Sequence, residues 1–129
     1  MKLHFDQRPD TNYITGYSDT GIQVRDRKFS KPLVVSADAF FEDRLPASFS
    51  ELDRHHIESL ISLEPEIVLL ATGSRQQFLA PELSQIFLTN AVGLESMDIG
   101  AACRSFNILI GEDRNVVAAF FFDSGPQGS

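Results

Sequence analysis

Apolar and polar residues alternate early in the chain, and the alternation then gives way to longer apolar runs. Tyr13-Ile14-Thr15-Gly16-Tyr17 is rich in strand formers, Asp19-Thr20-Gly21 is a turn signal, and Ile22-Gln23-Val24-Arg25 alternates strictly. Successive side chains of a strand point to opposite faces, so this pattern predicts a hairpin with one wet face. Pro32-Leu33-Val34-Val35-Ser36 predicts a third strand, with proline at the first position, where no ladder donor is lost. Phe40-Phe41 and Leu45-Pro46 are expected in irregular structure. This first part is read as an antiparallel, meander-like sheet.

The period changes near Ser50. Ser50 is a candidate helix cap, with Asp53 three residues on as a loose capping box. Leu52, His56, Leu60 and Leu63 share one helical stripe, Ile57 and Ile61 lie beside it, and Pro65 closes the helix. Ile67-Val68-Leu69-Leu70-Ala71 is apolar at every position, as suits a central strand covered on both faces. After the loop Thr72-Gly73-Ser74-Arg75, a helix opens near Pro81, with Leu83, Ile86 and Phe87 buried. Val92, Leu94 and Ser96 mark a short strand. A longer helix over about residues 98–110 turns Ile99, Ala102, Cys103, Phe106, Leu109 and Ile110 inward. Glu112-Asp113-Arg114-Asn115 turns the chain into an unalternating strand at 116–122. The rhythm is βαβαβ, which implies a partly parallel sheet with right-handed crossovers, strands 67–71 and 116–122 lying adjacent or nearly so at its centre. The expected organisation is a single α/β domain over residues 13–124, a polar arm at 1–12 and a disordered tail at 125–129.

With 129 residues the chain has room for one core. Its net charge of −7 disfavours a nucleic-acid partner, which needs cations to replace counterions along the phosphates, and adhesion to anionic lipid. Eight acids crowd residues 38–66 against Arg44 and Arg54, read first as a solvated face and second as a docking surface for a basic partner. A lone cysteine, Cys103, excludes an intramolecular disulfide and fits a reducing compartment. No apolar run reaches the roughly 20 residues of a membrane span, and the first residues have no signal-peptide pattern. The expectation is a cytoplasmic protein without membrane insertion.

A ligand site in a sheet of this kind lies beyond the carboxyl ends of parallel strands. Gly73, Ser74 and Arg75 follow one such strand, and Glu95 and Asp98 should stand near the end of the next. Glycine admits a close backbone approach, Arg75 suits a carboxylate or phosphate, and Glu95 with Asp98 could act as an acid and base. The plainer alternative makes Asp98 a helix cap and the glycine loop an ordinary strand exit. His55 and His56 point about 100° apart on a helix, so they do not form a zinc face. Cys103 falls inside beside Phe106, in a packing role. Arg104 and Asn107, one turn apart, are candidates for an exposed polar contact. No catalytic set, metal site or cofactor is expected.

Ile67-Val68-Leu69-Leu70-Ala71-Thr72-Gly73, Pro81, Gly93-Leu94-Glu95-Ser96-Met97, Ala101-Ala102-Cys103-Arg104-Ser105-Phe106-Asn107 and Arg114-Asn115-Val116-Val117-Ala118-Ala119 carry a family resemblance. In this order and spacing they resemble a widespread family of small uncharacterised bacterial and archaeal proteins. That family includes, in eukaryotes, mitochondrial NADH:ubiquinone oxidoreductase complex assembly factor 3. Gly16-Tyr17 and the strand around Val34 extend the resemblance over most of 13–122. It implies a three-layer β/β/α domain and no established reaction; the eukaryotic member helps assemble respiratory complex I as a protein partner rather than a catalyst. Ile99, and Ser105-Phe106 before Asn107, depart from the hydroxyl-bearing residues expected there. Two readings follow: a non-enzymatic binding or assembly-factor-like protein whose partner is another protein, or a small-molecule or anion-binding protein or enzyme using the crevice. The oligomeric state is left open.

Overall fold

A computed structural model describes residues 10–123. Strands β1 (Ile14–Ser18), β2 (Gly21–Val24) and β3 (Arg27–Phe29) form an antiparallel three-stranded sheet in sequence order. Strands β4 (Leu33–Ser36), β5 (Phe40–Phe41), β6 (Ile67–Thr72), β7 (Gly93–Met97) and β8 (Val116–Phe121) form a five-stranded sheet ordered β5-β4-β8-β6-β7. In it β6 runs parallel to β7 and β8, and β4 runs antiparallel to β8 and β5. The helices are α1 (Arg54–Ile61), α2 (Pro81–Thr89) and α3 (Ile99–Gly111).

The result is the mixed three-layer α/β arrangement that the pattern and the resemblance imply. One face of the five-stranded sheet, through Leu33, Val35, Leu69, Ala71, Ala118 and Phe120, packs on α3 and the small sheet. The opposite face, through Val34, Val68, Leu70, Val117 and Ala119, packs on α1 and α2. Both faces of β6 and β8 are therefore covered, which is why neither strand alternates, and the two pair along their whole length. The chain leaves β6 outward to β7 through α2 on one face. It returns across β6 to β8 through α3 on the other face. Opposite directions over opposite faces give both crossovers the same hand.

Four local expectations are corrected. The strand at β4 is not the third strand of the meander, because Leu33, Val34 and Val35 are buried on both faces and need the cover available only in the large sheet. The meander closes instead with Arg27–Phe29, which hid in the sequence because Arg27 and Lys28 are exposed and Phe29 alone turns inward. Phe40–Phe41 is a short strand on Val34 and Val35 rather than irregular structure. Ser50 does not cap α1; it lies in a 3-10 turn, Phe49–Glu51, that begins at Ser48. Asp53 caps α1, its Oδ1 accepting the His56 amide at 3.1 Å while His56 Nδ1 accepts the Asp53 amide at 3.1 Å. This reciprocal bond pulls His56 off the buried stripe, which consists of Leu52, Ile57 and Leu60.

Several acids of segment 38–66 also have local work. Asp53 caps, Glu58 pairs with Arg54 at 3.5 Å, and Glu66 accepts from the Asn115 amide and from Arg114. The Asn115 amide first, then Arg114, holds the Glu66 carboxyl below its usual range. The tail expected at 125–129 and most of the arm expected at 1–12 lie outside the described residues. Within 10–12, Asn12 is buried and its side-chain amide donates to the Ser36 and Ala39 carbonyls at 3.1 and 3.2 Å.

Candidate functional site

The connections leaving β6 and β7 diverge to opposite faces, which makes the carboxyl ends of these strands the topological position of a crevice. Gly73 follows β6 at φ +88°, a conformation L side chains rarely adopt, and a Cβ there would run into the Asp123 carboxylate. Its carbonyl accepts the Ile99 amide at 2.9 Å, tying the loop to the start of α3. The Ser74 amide donates to Asp123 Oδ1 at 3.0 Å. The Thr72 hydroxyl donates to the Arg75 carbonyl at 2.6 Å and accepts the Gln77 amide at 3.0 Å. Gln77 Nε2 donates to the Thr72 carbonyl at 3.2 Å, and Gln76 Nε2 reaches the Ser96 carbonyl on β7 at 2.7 Å. Asp98 caps α3, its Oδ1 accepting the Ala101 amide at 2.9 Å.

Of the residues singled out in the sequence, Gly73, Ser74, Arg75 and Asp98 thus stand at the crevice. Glu95 does not join them, because strand alternation turns it onto the α3 face of β7. The residue missed is Asp123. Its signal is topological: β8 lies beside β6, so the residue just past β8 meets the loop just past β6. The Ser74 hydroxyl, the Ser74 amide and the Arg75 charge together hold the Asp123 carboxyl below the usual aspartate range. A depressed folded value stabilises the fold above the unfolded aspartate pKa, and that contribution is lost as pH falls through the folded value. A side-chain carboxyl titration followed by NMR is expected to put the Asp123 midpoint below that of an unfolded aspartate, and a Ser74→Ala variant is expected to raise it. A midpoint that Ser74→Ala does not move would disprove the clasp.

The crevice is therefore a stitched loop. Two of the leading amides of α3 are taken by Gly73 and Asp98, and the ionised Asp123 shares the neighbourhood of Arg75. Two grooves lie elsewhere. One of about 420 Å³ runs over the small sheet between Tyr17, Thr20, Gln23, Lys28 and Phe29. The other, about 290 Å³, has a floor of Leu69, Glu95 and Met97 and a wall of Ser105, Ile108 and Leu109 from α3.

Cys103 is fully buried beside Phe106, and burial pushes its thiol up to about 12. The thiolate is the nucleophile that attacks a labelling reagent, so labelling of the native protein is expected to be slow and to accelerate on unfolding. Rapid native labelling would contradict this burial. Asn107 is not an exposed contact as expected: it is 1% exposed, with Oδ1 accepting the Ile14 amide at 2.8 Å and Nδ2 donating to the Ile14 carbonyl at 2.9 Å. Its position four residues after Cys103 placed it on the buried stripe of α3, and that spacing was the signal available. Arg104 is exposed and donates to the Tyr17 hydroxyl at 3.0 Å. Among the described residues no three His, Cys, Asp or Glu side chains converge on a metal position.

Residues 14–121 match the family described as "Protein of unknown function (DUF498/DUF598)". The chain belongs to this family. A DUF498/DUF598 assignment agrees with the resemblance drawn from the β6, β7, α3 and β8 motifs. A Francisella tularensis subsp. holarctica relative named 13 kDa major membrane protein is 26% identical over 91 residues, covering 69% of this chain and 73% of its own length. A Xenopus tropicalis protein named NADH dehydrogenase (ubiquinone) 1 alpha subcomplex assembly factor 3 is 28% identical over 109 residues, covering 83% of this chain. This chain spans 59% of that relative's length. A crystal structure of a Bordetella parapertussis protein superposes with a TM-score of 0.82 at 31% identity, over 91% of this chain and 100% of that one. Among the described residues no helix is long and apolar enough to cross a membrane.

Proposed function

We propose that this DUF498/DUF598 member acts in the cytoplasm by holding another protein, in the manner of an assembly factor, and catalyses no reaction itself. The observation that carries the reading is the stitched crevice between β6 and β7, where Thr72, Gln76, Gln77 and Asp98 spend their polar groups on the chain's own backbone. An enzyme of this architecture would keep convergent polar groups free at that position. The relative named as an assembly factor supports the same reading.

The test is affinity capture from native lysate combined with native mass spectrometry, comparing wild type with Arg75→Ala. The expected result is a protein recovered near one-to-one with either chain. A bound small molecule that disappears with Arg75→Ala would overturn the reading.

The second reading is an anion or small-molecule site formed by Gly73, Ser74, Arg75 and Asp98, without Glu95, which faces the α3 groove instead. The exposed Arg75 guanidinium at the crevice favours it, and the Asp123 carboxylate opposes it. Phosphate titration followed by amide shifts is expected to perturb residues 73–75 and 98–101 only at low salt, since an exposed charge is screened within about 10 Å at 0.1 M. Shifts that persist undiminished in Arg75→Ala would remove this site.

A further inference from the structure

The two sheets have four edge strands among the described residues, and three of them are blunted. An open edge offers unpaired amides and carbonyls to any passing strand, and proteins protect edges with bulges, charges, short length or cover. β1 carries a bulge between Ile14 and Gly16, and Asn107 takes both the amide and the carbonyl of Ile14. β3 is three residues long and bears Arg27 and Lys28, with the Arg27 guanidinium lying over the Phe29 and Phe40 rings. β5 has two residues. β7 has five, pairs with β6 without any register shift, and carries one charge, Glu95.

The backbone phase of β7 follows from two hydrogen bonds. The Gly93 amide donates inward to the Glu66 carbonyl, so Gly93, Glu95 and Met97 direct their backbone groups at β6. Leu94 and Ser96 then direct theirs outward, which is where Gln76 finds the Ser96 carbonyl. Side chains divide the same way. Leu94 packs towards α1 and α2, while Glu95 and Met97 face the groove beneath Ile108 and Leu109. Ile108 is 54% exposed on the groove's rim. Gly93 has no side chain on this face, where a Cβ would stand 3.3 Å from Ile67 Cγ1.

We propose that β7 is a strand-addition site for an extended segment of a different protein, one with a basic residue opposite Glu95 and apolar residues two positions to either side. The proposal deepens the protein-partner reading and rests on it. An added strand would take the outward groups of Leu94 and the Ser96 amide, and residues two apart on it, roughly 6.8 Å, would face the groove together. The apolar pair meets Met97, Ile108 and the space over Gly93; the basic residue meets the exposed Glu95 carboxylate of an acidic chain. A second copy of this chain is disfavoured as occupant. The fully overlapped two-fold pairing sets Glu95 against Glu95, like charges directly opposite one another.

A random dodecapeptide library displayed on phage, selected separately against wild type and Glu95→Lys, tests this directly. Wild type is expected to enrich an apolar-x-basic-x-apolar pattern, and Glu95→Lys the same pattern with an acid at its centre. A synthetic peptide from the wild-type selection should shift the Leu94 and Ser96 amides and slow their hydrogen exchange. Its affinity should fall about tenfold on Glu95→Lys, as a favourable cross-strand pair becomes a repulsive one. Ser96→Pro should abolish binding while leaving the melting temperature nearly unchanged, because the lost amide bonds nothing within the sheet. Absence of a shared pattern, shifts confined to another surface, binding indifferent to Ser96→Pro, or a wild-type dimer dissociated by Ser96→Pro would each overturn the proposal. In the lysate capture, a protein still recovered by Ser96→Pro overturns the β7 site alone. A wild-type chain that recovers no protein overturns the underlying reading.

Discussion

Asn107→Ala is expected to destabilise the domain by about 2–5 kcal/mol, because it strands two buried backbone groups at once. Asn107 and Ile14 exchange a pair of hydrogen bonds, 2.8 and 2.9 Å long, at a place where both residues are fully or almost fully buried. The alanine leaves the Ile14 amide and carbonyl desolvated and without a partner. The pair also joins α3 to the edge of the small sheet, so its loss should loosen β1 before anything else. Thermal melting should show a fall on the order of 10 °C. Asn107→Asp separates hydrogen bonding from packing. An ionised carboxylate accepts the amide and repels the carbonyl, whereas a protonated one serves both. That variant should therefore be weak at neutral pH and recover as pH falls, since a protonated buried acid has a folded pKa raised above its unfolded one. A loss below about 1 kcal/mol for the alanine would mean that water reaches Ile14.

Asn107 also marks the limit of what the sequence made legible. The helix it sits on, its partners Cys103 and Phe106, and the strands β6 and β8 all follow from apolar spacing. Burial is a bulk property, and periodicity reports it well. Asn107 occupies the same stripe, but polarity alone suggests the surface; only the location of β1's unpaired edge explains an amide inside. The same holds at the crevice. Composition and topology brought Gly73, Ser74, Arg75 and Asp98 to one end of the sheet. Asp123 is harder to find: the expected adjacency of β6 and β8 brings it near Ser74, but nothing in the local sequence marks a carboxylate just past a strand as the partner of a loop amide.

Closeness along the chain misleads at two places. Leu33-Val34-Val35 follows the hairpin directly, and neighbouring strands usually pair, which favours the small sheet. Its lack of alternation said otherwise: a strand apolar at consecutive positions needs cover on both faces, and the small sheet could not provide it. Glu95 and Asp98 are close along the chain, which suggests one shared site. In a strand, three positions apart is an odd step, which sends two side chains to opposite faces. Here Asp98 had already left the strand to cap α3, and Glu95 stayed with Leu69 and Met97 over the groove.

Phe120→Ala is expected to cost about 3–5 kcal/mol, the usual loss for deleting a buried phenyl ring. The unalternating run from Val116 to Phe121 does not reveal which ring lies in which core, and the structure resolves it. Phe120 is 0% exposed and faces α3 and the small sheet, in register with Leu33 on β4 and Ala71 on β6. Ala118, two residues back on the same face, and Ala71 are small, so the Phe120 ring fills space they leave. β8 is hydrogen-bonded on both sides, to β4 and to β6, and cannot move in to close the cavity. Net folding stabilities of about 5–15 kcal/mol make such a loss a large fraction of the total. Phe122 provides the internal control. It stacks on Phe120 at 6.3 Å and 11° but lies past the end of β8 and is only half-buried, so Phe122→Ala should cost roughly 1 kcal/mol. Urea denaturation with both variants measures the difference, with m unchanged if the two remain two-state. Equal losses for the two rings, or a larger one for Phe122, would show that the small-sheet core is not organised around Phe120.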